Sequence, residues 1–287
     1  MSVLVTGARG AVGRHVLDGL LTAGLEVRAA SRDPAALDLP RGAAATPVTL
    51  DLQRPDTLPT ALEGVDAVFC YVTGDLEGFA KAAHDARVDH VVLLSSASVV
   101  ETDPTTDVLG ARHAGAEHTL RQAGLEVTAL RPGVFCGNVR QWRHSIITSG
   151  IVELPYPHAC LAPIHEHDIA DAAVAALTTG AGRGTSPQLT GPESLSYTEQ
   201  VDVLSRELDR DLTVRAIDPD TARQQMLRAG APPGIVDSLL RLWAAADGVT
   251  AHVNDHVEQL TGHPARTFAH WAREHRELFN PPTSNPT

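Results

Sequence analysis

The sequence predicts an α/β fold, a doubly wound parallel sheet with a small, mainly helical C-terminal cap, and three observations carry that expectation. Short apolar runs bounded by turn residues recur at positions 3–6, 26–30, 47–50, 67–71, 90–94 and 126–130. Helical patterns lie between most of them, as at 76–86 and 110–123, and strands alternating with crossover helices pair in parallel with both faces covered. After Pro132 the alternation stops, and from Ser196 onward the chain reads mainly as successive helices. The expected division is a Rossmann-type core over residues 1–137, then a mixed segment over 138–287 that returns one strand to the sheet before forming the cap. At 287 residues the chain is long enough to bury both as one integrated domain.

The first strand ends at Thr6. Gly7, Gly10 and Gly13 follow at three-residue spacing, and Val12, Val16, Leu17, Leu20 and Leu21 recur with helical period up to Gly24. A helix N-terminus presents unsatisfied N–H groups and a positive dipole end, and glycines let a pyrophosphate approach the backbone. Thr6, Gly7, Arg9, Gly10, Ala11, Val12 and Gly13 are therefore expected to cradle a dinucleotide. The second strand runs into Ser31, Arg32 and Asp33. An NAD-specific fold places an acid near this point for the ribose 2′-hydroxyl. A small hydroxyl and an arginine, with Arg9 in the loop, suit a 2′-phosphate instead. NADPH is expected over NADH, with Asp33 as the counter-evidence. Past the third strand, Asp51 and Leu52 place a carboxylate where an adenine amino group can donate, or where an Asx turn precedes Pro55.

Residues 138–165 read as irregular and rich in His, Pro and aromatics. Asp168 is expected to cap a helix, and 188–190 to form a short edge strand. Ser196 and Glu199 make a capping-box pattern. Further helices are expected at 220–229, 234–246, 254–260 and 265–279, with Trp142, Trp243 and Trp271 packing the cap.

A net charge of −12 without a dense Lys/Arg run argues against nucleic acid and anionic membranes as partners. Cys70, Cys136 and Cys160 form no CxxC pair, as expected of buried thiols in a reducing compartment. No secretory h-region and no apolar stretch of transmembrane length is found, so a cytoplasmic protein is expected.

As a set, the motifs resemble the NmrA-like branch of the atypical short-chain dehydrogenase/reductases over nearly the whole chain. They are Thr6-Gly-Ala-Arg-Gly-Ala-Val-Gly13, Ser31-Arg-Asp-Pro34, Leu93-Leu-Ser-Ser-Ala97, His113-Ala-Gly-Ala-Glu117, Ala129-Leu-Arg-Pro-Gly133, His167-Asp-Ile-Ala170 and Leu260-Thr-Gly-His-Pro-Ala-Arg-Thr-Phe268. The resemblance implies an NAD(P)H-dependent quinone or azo-type reductase, a redox-sensing regulator or a biosynthetic reductase. It also implies that Tyr71, Val72 and Thr73 pass beside the cofactor ribose, that Ser95 contacts cofactor, and that Pro132, Gly133 and Val134 line the nicotinamide. Phe135, Tyr156, His158 and His165 are the expected substrate-pocket residues. The histidines at 158, 165 and 167 lack the supporting ligands of a metal site, and none is expected.

Ordinary members of the superfamily reduce carbonyls with Ser, Tyr and Lys. Ser96 falls at the serine, but the Tyr-x-x-x-Lys position reads Leu109-Gly-Ala-Arg-His113, and Lys81, the single lysine, lies upstream. Leucine donates no proton, whereas a reduced quinone is a ring-stabilised phenolate that takes its proton from water. His113 is left as a ribose contact or as a proton donor near neutral pH, and Ser96 as a substrate contact or a cap. The expected function is NADPH-dependent hydride transfer to a quinone-like or conjugated small-molecule acceptor. An NADP(H)-sensing regulator with a protein partner, and a redox-neutral biosynthetic enzyme, are the alternatives. A homodimer through the helix around 110–122 is left open.

Overall fold

All six apolar runs become strands of one sheet. The computed structural model of the protein describes residues 1–39, 42–72, 76–103 and 105–280. In chain order its elements are β1 (Ser2–Val5), α1 (Gly13–Thr22), β2 (Glu26–Ser31), β3 (Ala45–Thr49), α2 (Leu58–Leu62), β4 (Ala67–Tyr71), α3 (Leu76–Asp85), β5 (His90–Leu94), α4 (Ser98–Glu101), α5 (Val108–Gln122) and β6 (Val127–Pro132). They continue as α6 (Arg143–Thr148), β7 (Ile151–Leu154), β8 (Cys160–Leu161), α7 (Glu166–Thr179), β9 (Gln188–Leu189), β10 (Leu195–Ser196), α8 (Tyr197–Leu208), β11 (Thr213–Ala216), α9 (Pro219–Arg228), α10 (Pro233–Ala246), α11 (His256–Thr261) and α12 (Phe268–Glu274).

The chain divides into two compact units. The first comprises 1–132, 166–189 and 256–263, and the second 133–165, 190–255 and 264–287. The first unit holds a seven-stranded sheet of order β3-β2-β1-β4-β5-β6-β9. Every neighbouring pair in it is parallel. Strand order reverses between β1 and β4, so the carboxyl ends of these two strands flank the topological switch where such sheets bind ligands. The strands read as nearly continuous Val, Ala and Leu because both faces are covered. Leu4, Val68 and Leu93 pack with Phe79 of α3 and Leu120 of α5 in one core cluster, and all five are completely buried.

The second unit has its own core. Val152, Tyr197, Leu204, Phe268 and Trp271 pack together there with Trp142, and Trp243 lies against them. Here the expectation of an irregular 138–165 is corrected. β7 pairs in parallel with β11, 62 residues later (Thr213 opposite Ile151), and β8 pairs antiparallel with β10. Two-residue strands are too short to show a period, and β7 needs a partner far away in sequence, so neither announced itself locally.

Two further details differ from expectation. α7 opens at Glu166, so Asp168 lies inside its first turn, fully buried, rather than capping it. Carboxylates in a first turn complement the helix dipole. The single helix expected over 265–279 is α12 followed by a 3-10 turn at Arg276–Phe279, and Thr267 caps α12 by accepting from His270 N–H. The capping box is as read: Ser196 Oγ accepts from Glu199 N–H at 3.2 Å and Glu199 Oε2 accepts from Ser196 N–H at 2.7 Å. No helix among the described residues is long and apolar enough to cross a membrane.

Candidate cofactor and active site

The glycine loop is shaped by contacts that only glycine permits. Gly7 has φ +63°, and a Cβ there would stand 2.7 Å from the Tyr71 ring. A Cβ on Gly13 would stand 2.2 Å from the Gly7 carbonyl oxygen, backbone against backbone. Gly10 N–H donates to that same oxygen at 2.7 Å, closing the turn. Thr6, buried, ties the loop to β4: its N–H donates to Phe69 O at 2.9 Å and its Oγ1 accepts from Tyr71 N–H at 3.3 Å. Tyr71 is 40% exposed and lies against Gly7.

The loop delivers the chain through the N-cap residue, Val12, into α1 with neither a side-chain cap nor an acid in its first turn. The positive dipole end of this helix N-terminus suits a pyrophosphate. Arg9, Gly10 and Ala11 are exposed along the loop. At the end of β2, Ser31 Oγ accepts from Asp33 N–H at 3.1 Å and donates to Asp33 O at 3.0 Å. This turn leaves Arg32 exposed. Asp51 forms an Asx-type turn, with Oδ1 accepting from Gln53 N–H at 3.0 Å, while Leu52 is buried in the sheet core. Val72 O accepts from Arg112 Nη2 at 2.9 Å. Thr73 lies outside the described residues.

The end of β5 is held by a buried ion network. Ser95 Oγ donates to Glu117 Oε1 at 2.7 Å, and Arg131 grips the same carboxylate from β6 through Nε (2.8 Å) and Nη2 (2.7 Å). Arg121 adds a further bond to Glu117 Oε2 at 2.9 Å. Burial alone would raise the Glu117 carboxyl, but the bonds from Arg131, Arg121 and Ser95 outweigh it and hold the group below the usual carboxylate range. Ser96 Oγ accepts from Ser98 N–H at 3.2 Å and from Ser98 Oγ at 2.9 Å, a turn that opens α4.

His113 sits one turn before Glu117 on α5, half-buried. Its Nδ1 is buried and has no hydrogen-bond partner among the described residues. Burial, with the Arg112 charge behind it, pushes the imidazole down to about 4. At neutral pH it is therefore uncharged, which does not support the role of a neutral-pH imidazolium donor but suits a hydrogen bond to a ribose hydroxyl. Pro132 O accepts from Ala97 N–H at 2.9 Å, so the β6 end is tied to the turn after Ser96.

The remaining expected positions belong to the second unit. Val134 O accepts from Ile164 N–H at 2.9 Å, and Phe135 bridges Ile164, which fixes the stretch from Gly133. Tyr156 packs at the edge of that unit's core and His158 is exposed. His165 is completely buried, its Nε2 3.0 Å from Glu274 Oε2, with the His270 and His275 rings about it. None of the expected pocket residues Phe135, Tyr156, His158 and His165 lines the unit's cavity of about 380 Å³, whose wall includes Trp142, Tyr197, Trp243 and Met226. The two tryptophans were the sequence signal for that wall, read only as packing. In the first unit, Asp168, Asp171 and His263 bring one ligand-type atom each within 4.8 Å of one another, and His263 Nε2 lies 3.2 Å from Asp171 Oδ2.

A family model described as NAD(P)H-binding matches residues 7–180. A (4-alkanoyl-5-oxo-2,5-dihydrofuran-3-yl)methyl phosphate reductase of Streptomyces griseus is 37% identical over 97% of this chain and 99% of its own. An NAD(P)H azoreductase of Xenophilus azovorans is 31% identical over 96% and 99%. Among solved structures, an NADPH-dependent quinone oxidoreductase from Escherichia coli superposes with a TM-score of 0.82, covering 96% of this chain and 99% of that one at 21% identity. A likeness at that identity speaks for the fold.

Proposed function

The chain belongs to the NAD(P)H-binding family, and on that premise we propose that it is an NADPH-dependent reductase. In this reading it delivers hydride to a conjugated, quinone-like acceptor without a Tyr–Lys proton relay. The observation that carries it is an uncapped, glycine-shaped cradle combined with Leu109 and an uncharged His113 at the relay positions of α5. Lys81 offers no substitute, being an exposed α3 side chain paired with Asp85 at 2.6 Å.

When bound, the reduced nicotinamide supplies a hydride, two electrons with one proton. On an ordinary ketone the product is an alkoxide, and lack of a positioned acid costs roughly 10²- to 10⁴-fold in rate. On a quinone the electron pair spreads over the ring and the second proton comes from water, so binding and orientation suffice. The two relatives described above are reductases by name, which supports catalysis over pure sensing.

Anaerobic stopped-flow with NADPH and a panel of quinones, enones and azo compounds should show rapid absorbance loss at 340 nm for the conjugated acceptors and none for simple ketones. Its kcat/KM profile should carry no inflection from His113 between pH 6 and 8, because that imidazole is already neutral there. NADPH binding without oxidation by any acceptor would sink the reductase reading and leave a cofactor-responsive regulator.

The coenzyme preference rests on exposed Arg32, which follows Ser31 at the end of β2 and is itself followed by exposed Asp33. Losing one charge-assisted bond to a phosphate costs ~1.5–3 kcal/mol. Arg32→Ala should therefore weaken NADPH by roughly 10- to 150-fold while NADH changes little. Equal weakening of both, by fluorescence titration, removes the 2′-phosphate role.

A further inference from the structure

The cavity of the second unit is a built pocket rather than a surface dent. Trp142 and Tyr197 on its wall are each 6% exposed and Ala222 is 5% exposed. Its volume of about 380 Å³ falls within the roughly 300–1,000 Å³ of small-molecule sites. Tyr197 meets both tryptophans edge to face, with ring centroids 5.7 Å from Trp142 and 5.7 Å from Trp243. The result is one continuous aromatic wall, and Met226 adds a polarisable thioether to it.

The lining also has polar groups, among them the hydroxyl side chains of Ser145, Thr148 and Ser149. The charged residues of the lining, Arg215 and Glu153, are closed on one another, with Arg215 Nε 3.0 Å from Glu153 Oε1, and Gln225 Nε2 donates to the other carboxylate oxygen at 3.1 Å. An anion entering the pocket meets an arginine already neutralised, and a cation meets a carboxylate already taken. Gln141 and His144 also line it and can hydrogen-bond a carbonyl oxygen.

We propose that this pocket is a binding site for a neutral, planar aromatic carbonyl compound, stacked on the tryptophan wall with its oxygens toward the amide and imidazole groups. The site is made wholly from the second unit, so its occupancy needs neither cofactor nor turnover, and it stands apart from the reductase reading.

The protein's own fluorescence tests it. The chain has three tryptophans; Trp142 and Trp243 line the pocket, while Trp271 is buried and outside its lining. Titrating the cofactor-free protein with 1,4-naphthoquinone should quench emission saturably, with Kd below about 100 µM. Ala222→Leu fills the pocket from the α9 side and should weaken binding at least about ten-fold, with melting and NADPH titration unchanged. If that variant folds poorly, Met226→Phe obstructs the same space from a half-buried position. 1,4-Naphthoquinone-2-sulfonate should bind at least about ten-fold more weakly than the neutral parent. Purely linear quenching, saturable quenching untouched by the filling variants, or equal binding of the sulfonate overturns the proposal. Loss of NADPH oxidation alone does not bear on it.

Discussion

Gly13→Ala should lose cofactor binding by more than about 100-fold and lower Tm, although alanine is the better helix former. Two effects compete at this position. Gly13 is the first residue of α1, where intrinsic propensity favours alanine by about 1 kcal/mol. Against this, the new Cβ would stand 2.2 Å from Gly7 O and 2.8 Å from Gly7 C. Neither atom is a flexible side-chain end, so the turn itself must move. Overpacking of this kind costs ~1–3 kcal/mol, and each charge-assisted bond lost from a displaced pyrophosphate cradle costs ~1.5–3 kcal/mol more in binding. Two such bonds exceed a factor of 100. Gly10→Ala is the graded control. Its Cβ would meet Gly7 O at 3.1 Å, a contact that a few tenths of an ångström relieve, so the loss should be smaller. Differential scanning calorimetry and NADPH titration of the two variants check the order. A Gly13→Ala protein that melts higher and binds normally would falsify the account of the loop.

The second large effect is expected at Glu117, which joins α5 to the ends of β5 and β6. Glu117→Leu strips the carboxylate from Arg131, itself only 17% exposed, and leaves a buried guanidinium without a partner. Breaking a buried pair from one side costs ~3–5 kcal/mol, a fall of roughly 10 °C in Tm. The pH dependence follows from the lowered Glu117 pKa. A carboxyl depressed on folding stabilises fully above its unfolded value, about 4.3, and loses that contribution as pH drops through the folded value. Wild-type Tm should therefore fall on acidification below about pH 4 more steeply than that of Glu117→Gln, which cannot ionise. Parallel acid limbs in the two melting series would remove Glu117 from this role.

Much of this architecture is legible from local pattern. The strands of the first sheet announce themselves because each is an apolar run bounded by turns, and the cradle because its glycine spacing depends on covalent geometry alone. The capping box at Ser196 and Glu199 is equally local. What escaped is what distance in sequence conceals. β7 reads as loop until β11 pairs with it, and the aromatic pocket assembles from α6, α8, α9 and α10 around that pair. The neutrality of His113 escaped for a different reason: it depends on burial and on the Arg112 charge, neither of which a motif records. Asp168 looked like a cap because it is an acid before an apolar run, yet α7 begins two residues earlier.

The interleaving of the two units constrains the order in which the protein can be built. β6 gains its outer neighbour only when Gln188 and Leu189 arrive, and α7 packs against α1 and β4–β6 from beyond the first excursion into the second unit. A nascent chain that has emerged only as far as Pro132 thus carries an unpaired strand edge and an uncovered apolar sheet face, the two features that recruit other strands and chaperones. The glycine cradle of residues 7–13 precedes β6 and α7 in the order of synthesis. The sheet that supports it is closed only after some 57 further residues have left the ribosome, by a rough count from Pro132 to Leu189.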